Sequence, residues 1–238
     1  MHFQHSDDIW RTFPQLVAGV LLVESVTSDA SVEAPVAELS AVAASRLATA
    51  SEGEFPEVQA WRRAFSRMGL KPTQYRSASE SLLRRYRKEG SLPRLHPLVD
   101  LCNAASLAFA IPVAAFDVAR ITGDLEVRHA VGNESYQSFT GDSEHPDPGE
   151  VIFADDEGRA HARRWTNRQS GGSAVRSSTT NVLIVIEALH DTAPHDVRAL
   201  QTVLAKATGA AWSTTPTSAL LSQSAPRFTF DPAGQQRT

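Results

Sequence analysis

Three groups of residues in this chain have types and spacings suited to catalysis or anion binding. The first lies between residues 95 and 117 and contains Asp100, Asn103, Ser106 and Asp117. Val99, Asn103, Ser106 and Ala110 recur at steps of three and four, which places them on one helical face. A small, partly polar stripe of this kind fits a pocket wall, and equally a set of polar groups hydrogen-bonded inside a core. The second group is the run Arg163-Arg164-Trp165-Thr166-Asn167-Arg168-Gln169-Ser170, followed by Gly171-Gly172. A glycine-rich turn beside arginines can present backbone N–H groups to an oxyanion or a phosphate. The third is Glu187, a carboxylate at the end of the most apolar strand. Burying it unpaired would be costly, so it is either functional or held in an ion pair by an arginine.

Other chemistries find no support. There is no glycine-rich phosphate loop, no His-Glu-x-x-His helix and no Gly-x-Ser-x-Gly elbow. His129 and His161 occupy strand-like segments without a second ligand at metal spacing, so no metal is expected. Cys102 is the one cysteine. It excludes an internal disulfide framework, and among apolar neighbours it reads as a small core residue rather than a nucleophile.

The elements that must position these groups follow from periodicity. Residues 15–26 are rich in Val and Leu and predict a buried strand, and residues 32–50 a helix. Pro56 opens a second helix carrying Val58, Trp61, Phe65 and Met68, which stops at Gly69. Ser77 and Glu80 fit a capping box for a third, closed by Gly90. Pro97 opens a fourth, running to about Ala110. Four strands are then expected at residues 125–131, 150–155, 159–165 and 181–187, separated by turns at residues 132–133, 147–149 and 156–158. A last helix covers about residues 195–208. Helices followed mainly by strands fit an α+β class better than a doubly wound sheet. The expected organisation is a single domain over residues 1–222 with a flexible C-terminal tail, 223–238.

At 42% hydrophobic and 21% charged residues the composition is that of an ordinary globular protein. The first ten residues do not read as a signal peptide, and the longest apolar run, residues 182–186, is too short to span a bilayer. The cytoplasm is the expected location, with no membrane partner. The net charge of −4 is unevenly spread. Residues 62–94 carry ten basic side chains against Glu80 and Glu89, a local charge of +8 against −12 elsewhere. A basic face suits phosphate contacts with nucleic acid, and a solvated arginine-rich helix explains it equally well.

These segments taken in order resemble the free-standing tRNA-editing domains of the B3/B4 type, similar to the editing domain of the phenylalanyl-tRNA synthetase beta chain. The similar stretches begin with Trp61 to Phe65, Met68 to Pro72, Tyr75 to Ser77 and Leu82 to Arg85. They continue with Leu98 to Asn103, Ile111-Pro112, Phe116-Asp117 and Gly132 to Glu134. Pro148 to Val151, Ala154 to Asp156, Arg163 to Ser170 and Thr179 to Leu189 complete the series, which covers roughly residues 10–208.

The resemblance implies a three-layer α+β domain around an unusual β-sandwich flanked by helices, and hydrolysis of a wrong amino acid from the 3′ end of tRNA without a cofactor. The family's asparagine is Asn103 and its proline is Pro112. Its histidine position is occupied by Ala114, and its glutamate position falls near Val185, with Glu187 two residues on and on the same side of a strand. The expected catalytic set is Glu187, Asn103 and Glu134. Asp117, Ser106, Pro112, Asn167, Gly171 and Gly172 are expected to bind substrate, and Arg76, Arg84, Arg85 and Arg164 the tRNA. The expected substrate is a mischarged tRNA of the canavanyl-tRNA(Arg) or Tyr-tRNA(Phe) type. A non-catalytic tRNA- or RNA-binding module that keeps the fold is the alternative.

Overall fold

The computed structural model describes residues 1–231. The chain runs through β1 (His2–His5), α1 (Asp7–Thr12), β2 (Val17–Val23), α2 (Glu33–Thr49), α3 (Pro56–Arg67), α4 (Ala78–Glu89) and α5 (Pro97–Phe109). It continues with β3 (Val113–Asp117), β4 (Leu125–His129), β5 (Tyr136–Gln137), β6 (Ser143–Glu144), β7 (Val151–Asp155), β8 (Ala160–Arg163) and β9 (Arg168–Gln169). β10 (Val182–Ala188), α6 (Ala193–Trp212), β11 (Thr217–Leu221) and β12 (Arg227–Thr229) complete it. This is an α+β fold.

Two sheets face each other. One has the strand order β12-β1-β4-β7-β8-β9, the other β11-β2-β10-β3. Their apolar inner faces meet in one core that includes Phe3, Val127 and Phe153 from the first sheet and Val20, Leu183 and Val185 from the second. The outer face of the four-stranded sheet carries Leu21, Ile184 and Ile186, which pack with Leu101 of α5 and Leu200 of α6 in a second core. Sheet, sheet and helices therefore form three layers. Every residue of β10 is buried because both of its faces are covered, which is why this strand reads as a continuous apolar run.

Local signals set the helix ends. The Ser77 side chain accepts the Glu80 N–H at the start of α4, and Gly90 closes that helix at φ 76°, a left-handed value that favours glycine. The Glu80 carboxylate does not complete the capping box. It turns to the guanidinium of Arg62, 2.7 Å away. Pro97 opens α5, with His96 accepting the Leu98 N–H.

Several elements were not expected from the sequence: α1, β3, β5, β6, β9 and β11, and the two at the limits of the chain, β1 and β12. β1 lies at the extreme N-terminus, a four-residue segment too short to show a period, and pairs parallel with β4. The tail expected to be flexible from residue 223 instead returns to the sheet, where β12 pairs antiparallel with β1 and places His2 opposite Thr229. Residues 232–238 lie outside the described residues.

Helix α6 is seated on β2 through a glycine. A Cβ on Gly19 would stand 2.7 Å from Val197 Cγ1 and 2.8 Å from Gln201 Cδ. Gln201 uses that approach to donate its amide to the carbonyls of Val20 (3.1 Å) and Ala219 (2.8 Å). Gly19→Ala should therefore overpack this contact and destabilise the fold by about 1–3 kcal/mol, read as a lower urea midpoint at constant slope. An unchanged midpoint would mean that α6 can retreat without loss.

Candidate functional site

Glu187 is the eye of the site. It lies on the same face of β10 as Leu183 and Val185, so its carboxylate enters the inter-sheet core, and it is only 2% exposed. Its Oε1 accepts two hydrogen bonds, from Trp165 Nε1 at 2.7 Å and from His5 Nε2 at 2.6 Å. His5 Nδ1 is buried without a partner, which places the ring proton on Nε2, toward the carboxylate. Oε2 makes no hydrogen bond among the described residues. The donors thus fix one oxygen and leave the other unengaged.

The chain spends conformational energy to set up this arrangement. Arg164 and Trp165 adopt consecutive left-handed conformations, φ 47° and 58°. Such conformations cost roughly 1–3 kcal/mol each in non-glycine residues and persist where surrounding contacts over-determine them. Here the Trp165 N–H donates to Val151 O at 2.7 Å. The fully buried indole meets Trp61 and Phe13 edge-on, with ring centroids 5.0 and 4.9 Å away.

A cavity of about 50 Å³ opens at Glu187, lined also by Pro112, Ala114, Thr166, Asn167, Gln169 and Val185 among others. About 10–15 Å³ accommodates one water, so the space admits water beside a small polar group. Ala114 and Val185 are direct partners across the β3–β10 ladder. The two positions at which the resemblance expects a histidine and a glutamate therefore face the same small space, one apolar residue on each side, with Glu187 one step along. A neighbouring hollow of about 360 Å³ shares Val113 and Gln169 with this cavity and contains Asn103.

The family follows from comparison with known proteins. The model of the B3/4 domain matches residues 60–203. The chain belongs to the B3/4 domain family. Over 70 residues it is 31% identical to the phenylalanine–tRNA ligase beta subunit of Legionella pneumophila (strain Paris), a stretch covering 29% of this chain and 9% of that subunit. The strain Lens subunit is 30% identical over the same length. The match thus spans less than a tenth of these curated relatives. Among solved structures, an N-terminal fragment of the phenylalanyl-tRNA synthetase beta-subunit from Pyrococcus horikoshii aligns with a TM-score of 0.48 and 10% identity, covering 90% of this chain and 49% of that one.

Within this B3/4 domain the expected site residues separate into two sets. Glu187, Pro112 and Asn167 share the small cavity, with the Asn167 amide donating to Arg76 O at 2.7 Å. Asn103 lines the adjoining hollow. The others line neither of these spaces and have structural duties. Ser106 donates to Ile111 O at 2.7 Å and ties the end of α5 to the next turn. Asp117 accepts from the Ala119 N–H and from the Thr179 hydroxyl. The Gly171 and Gly172 N–H groups donate to Gln137 O and Ser170 Oγ, each at 3.0 Å, so neither is available to an oxyanion.

The basic segment needs a similar correction. Arg84 pairs with Glu52, Arg76 with Glu80 and Arg85 with Glu89, at 3.2, 3.4 and 2.8 Å. Arg164 lies 4.7 Å above the Tyr75 ring and 3.9 Å from Glu150. Buried Glu52 and Glu80 also hold Arg87 and Arg62, so each of these two carboxylates is shared by two arginines and fixes them in place while the segment keeps a net positive charge. Conversely, sequence reasoning passed over His5 and Trp165 as partners of Glu187. Trp165 was visible in the 163–170 run, whereas nothing in the sequence marked the N-terminal histidine. Cys102 is buried, and burial pushes its thiol up to about 12, in keeping with a core role.

Glu134 is the clearest reassignment. It accepts from Arg128 Nη1 at 2.5 Å and from the Val131 and Gly132 N–H groups at 3.0 and 2.9 Å. Burial alone would raise its carboxyl, but these bonds outweigh it and bring the group to about 2, from a reference of 4.5. A depressed folded-state value means stability that is present above pH 4.5 and fades as pH falls toward 2. Glu134→Gln should lower stability by roughly 1–3 kcal/mol at neutral pH, with the gap to wild type narrowing through that window in urea titrations. A gap independent of pH would remove the charge from this account.

Proposed function

We propose that this B3/4 domain is a trans-editing aminoacyl-tRNA deacylase that works in the cytoplasm on a mischarged tRNA. The observation that carries the reading is the half-engaged carboxylate of Glu187, with Oε1 fixed by Trp165 and His5 and Oε2 left for the cavity. An aminoacyl ester is already activated, so placing a water against its carbonyl carbon supplies much of the required acceleration. Oε2 takes a proton from that water as its oxygen attacks the carbonyl carbon. The ester C–O bond then breaks, and the ribose oxygen leaves with the proton returned from the carboxyl. Asn103, in the adjoining hollow, donates its amide N–H to the substrate carbonyl or the terminal ribose. None of these steps needs a metal or an organic cofactor.

A second reading, a tRNA-binding module without turnover, draws on the apolar pair Ala114 and Val185 one step along the ladder from Glu187. Asp117 and Glu134 are committed to the fold, so neither supplies a charge that would favour a cationic side chain over an aromatic one. Both substrate types therefore belong in the test. Purified protein is incubated with canavanyl-tRNA(Arg), tyrosyl-tRNA(Phe) and correctly charged controls, and ester loss is followed against the spontaneous rate. The expected outcome is selective loss of one mischarged species. Glu187→Gln, which keeps an acceptor for Trp165, should reduce that rate by 10²–10⁴-fold. Full activity in the variant would remove Glu187 from the reaction. Loss of no species, with tRNA still bound, would establish the binding module instead.

A further inference from the structure

Four hollows lie side by side, each sharing lining residues with the next. The Glu187 cavity meets the 360 Å³ hollow at Val113 and Gln169. That hollow shares Phe139, Val175 and Arg176 with a third, of about 330 Å³. The third shares Gln137 and Gly141 with a fourth of similar size, which Arg120, Arg159 and His161 help to line. Beyond Glu187 no carboxylate lines any of the last three, whereas Arg176, Arg120 and Arg159 do. In a chain with a net charge of −4 this is a local excess of positive charge. Arg159 is partly spent on Asp155, at 2.7 Å. No ion pair engages Arg176 or Arg120 among the described residues. Phe139 stands in the shared wall with 72% of its surface exposed.

We propose that this trough is the track for the single-stranded 3′ end of an RNA, its terminal base stacked on Phe139 and its phosphates passing Arg176 and Arg120. Aromatic faces hold bases of any sequence, and a cation-lined groove free of carboxylates follows the backbone. The track ends at Glu187, where a 3′-attached ester would arrive. It rests on the deacylase reading only for the identity of that ester. The α4 arginines are the competing path, and their ion pairs with Glu52 and Glu89 argue against it.

The test uses uncharged tRNA and the same tRNA lacking its last four nucleotides, with affinity measured by fluorescence anisotropy across a salt series. Phe139→Ala should weaken binding of intact tRNA about tenfold and leave the truncated tRNA unaffected. The double change Arg120→Ala and Arg176→Ala should flatten the salt slope by roughly 1–2, since each single-strand phosphate contact contributes about 0.7. Arg84→Ala with Arg85→Ala should change neither quantity. Thermal melting of each variant checks folding. Equal weakening on intact and truncated tRNA, an effect confined to the α4 variant, or no tRNA binding by the wild type would each overturn the track. Binding through the trough without ester hydrolysis would keep it and discard only the deacylase.

Discussion

A carboxylate placed between two apolar sheets is tolerable only if donors meet it, and the two that meet Glu187 come from distant parts of the chain. His5 arrives on β1, 182 residues away in sequence, and Trp165 on the turn after β8. This three-way contact is a polar tie between the two sheets, beside the Gln169 amide that donates to Ala115 O at 2.7 Å. It requires the N-terminal strand to be docked beside β4 and residues 164–165 to hold their left-handed turn. Removing one donor would leave a buried acceptor short of partners, which is costlier than never having placed it. Satisfying the Glu187 carboxylate and closing the sandwich are thus one problem with one solution.

That coupling explains what could be read from the sequence. The helices opened by Pro56 and Pro97, the αL close at Gly90 and the apolar run of β10 are local or periodic features, and they fold as they read. Glu187 was legible as an anomaly, a charge in a strand buried on both faces. Its partners were not, because pairing across sheets leaves no mark in local spacing. β1 and β12 escaped for a related reason. Strands of four and three residues show too few alternations to reveal a period, and they exist because each supplies the other with hydrogen bonds.

Charge was the most misleading guide. Ten basic residues within residues 62–94 looked like a face for phosphates, yet Glu52 and Glu80, both almost fully buried, draw four of those arginines into ion pairs. Glu52 lies ten residues outside the window in which the charge was counted. Arg120 and Arg176, which no ion pair engages among the described residues, stand alone in sequence and gain meaning only from the hollows they line.

The pairing of β1 with β12 brings the two limits of the described chain together, with the Phe230 N–H donating to Met1 O at 3.0 Å. A module whose entrance and exit meet at one point can be spliced into a loop of a larger polypeptide without stretching its core or its host. A unit inserted in this way would carry the Glu187 pocket with it, since His5, the residue that braces Glu187, lies within five positions of that seam.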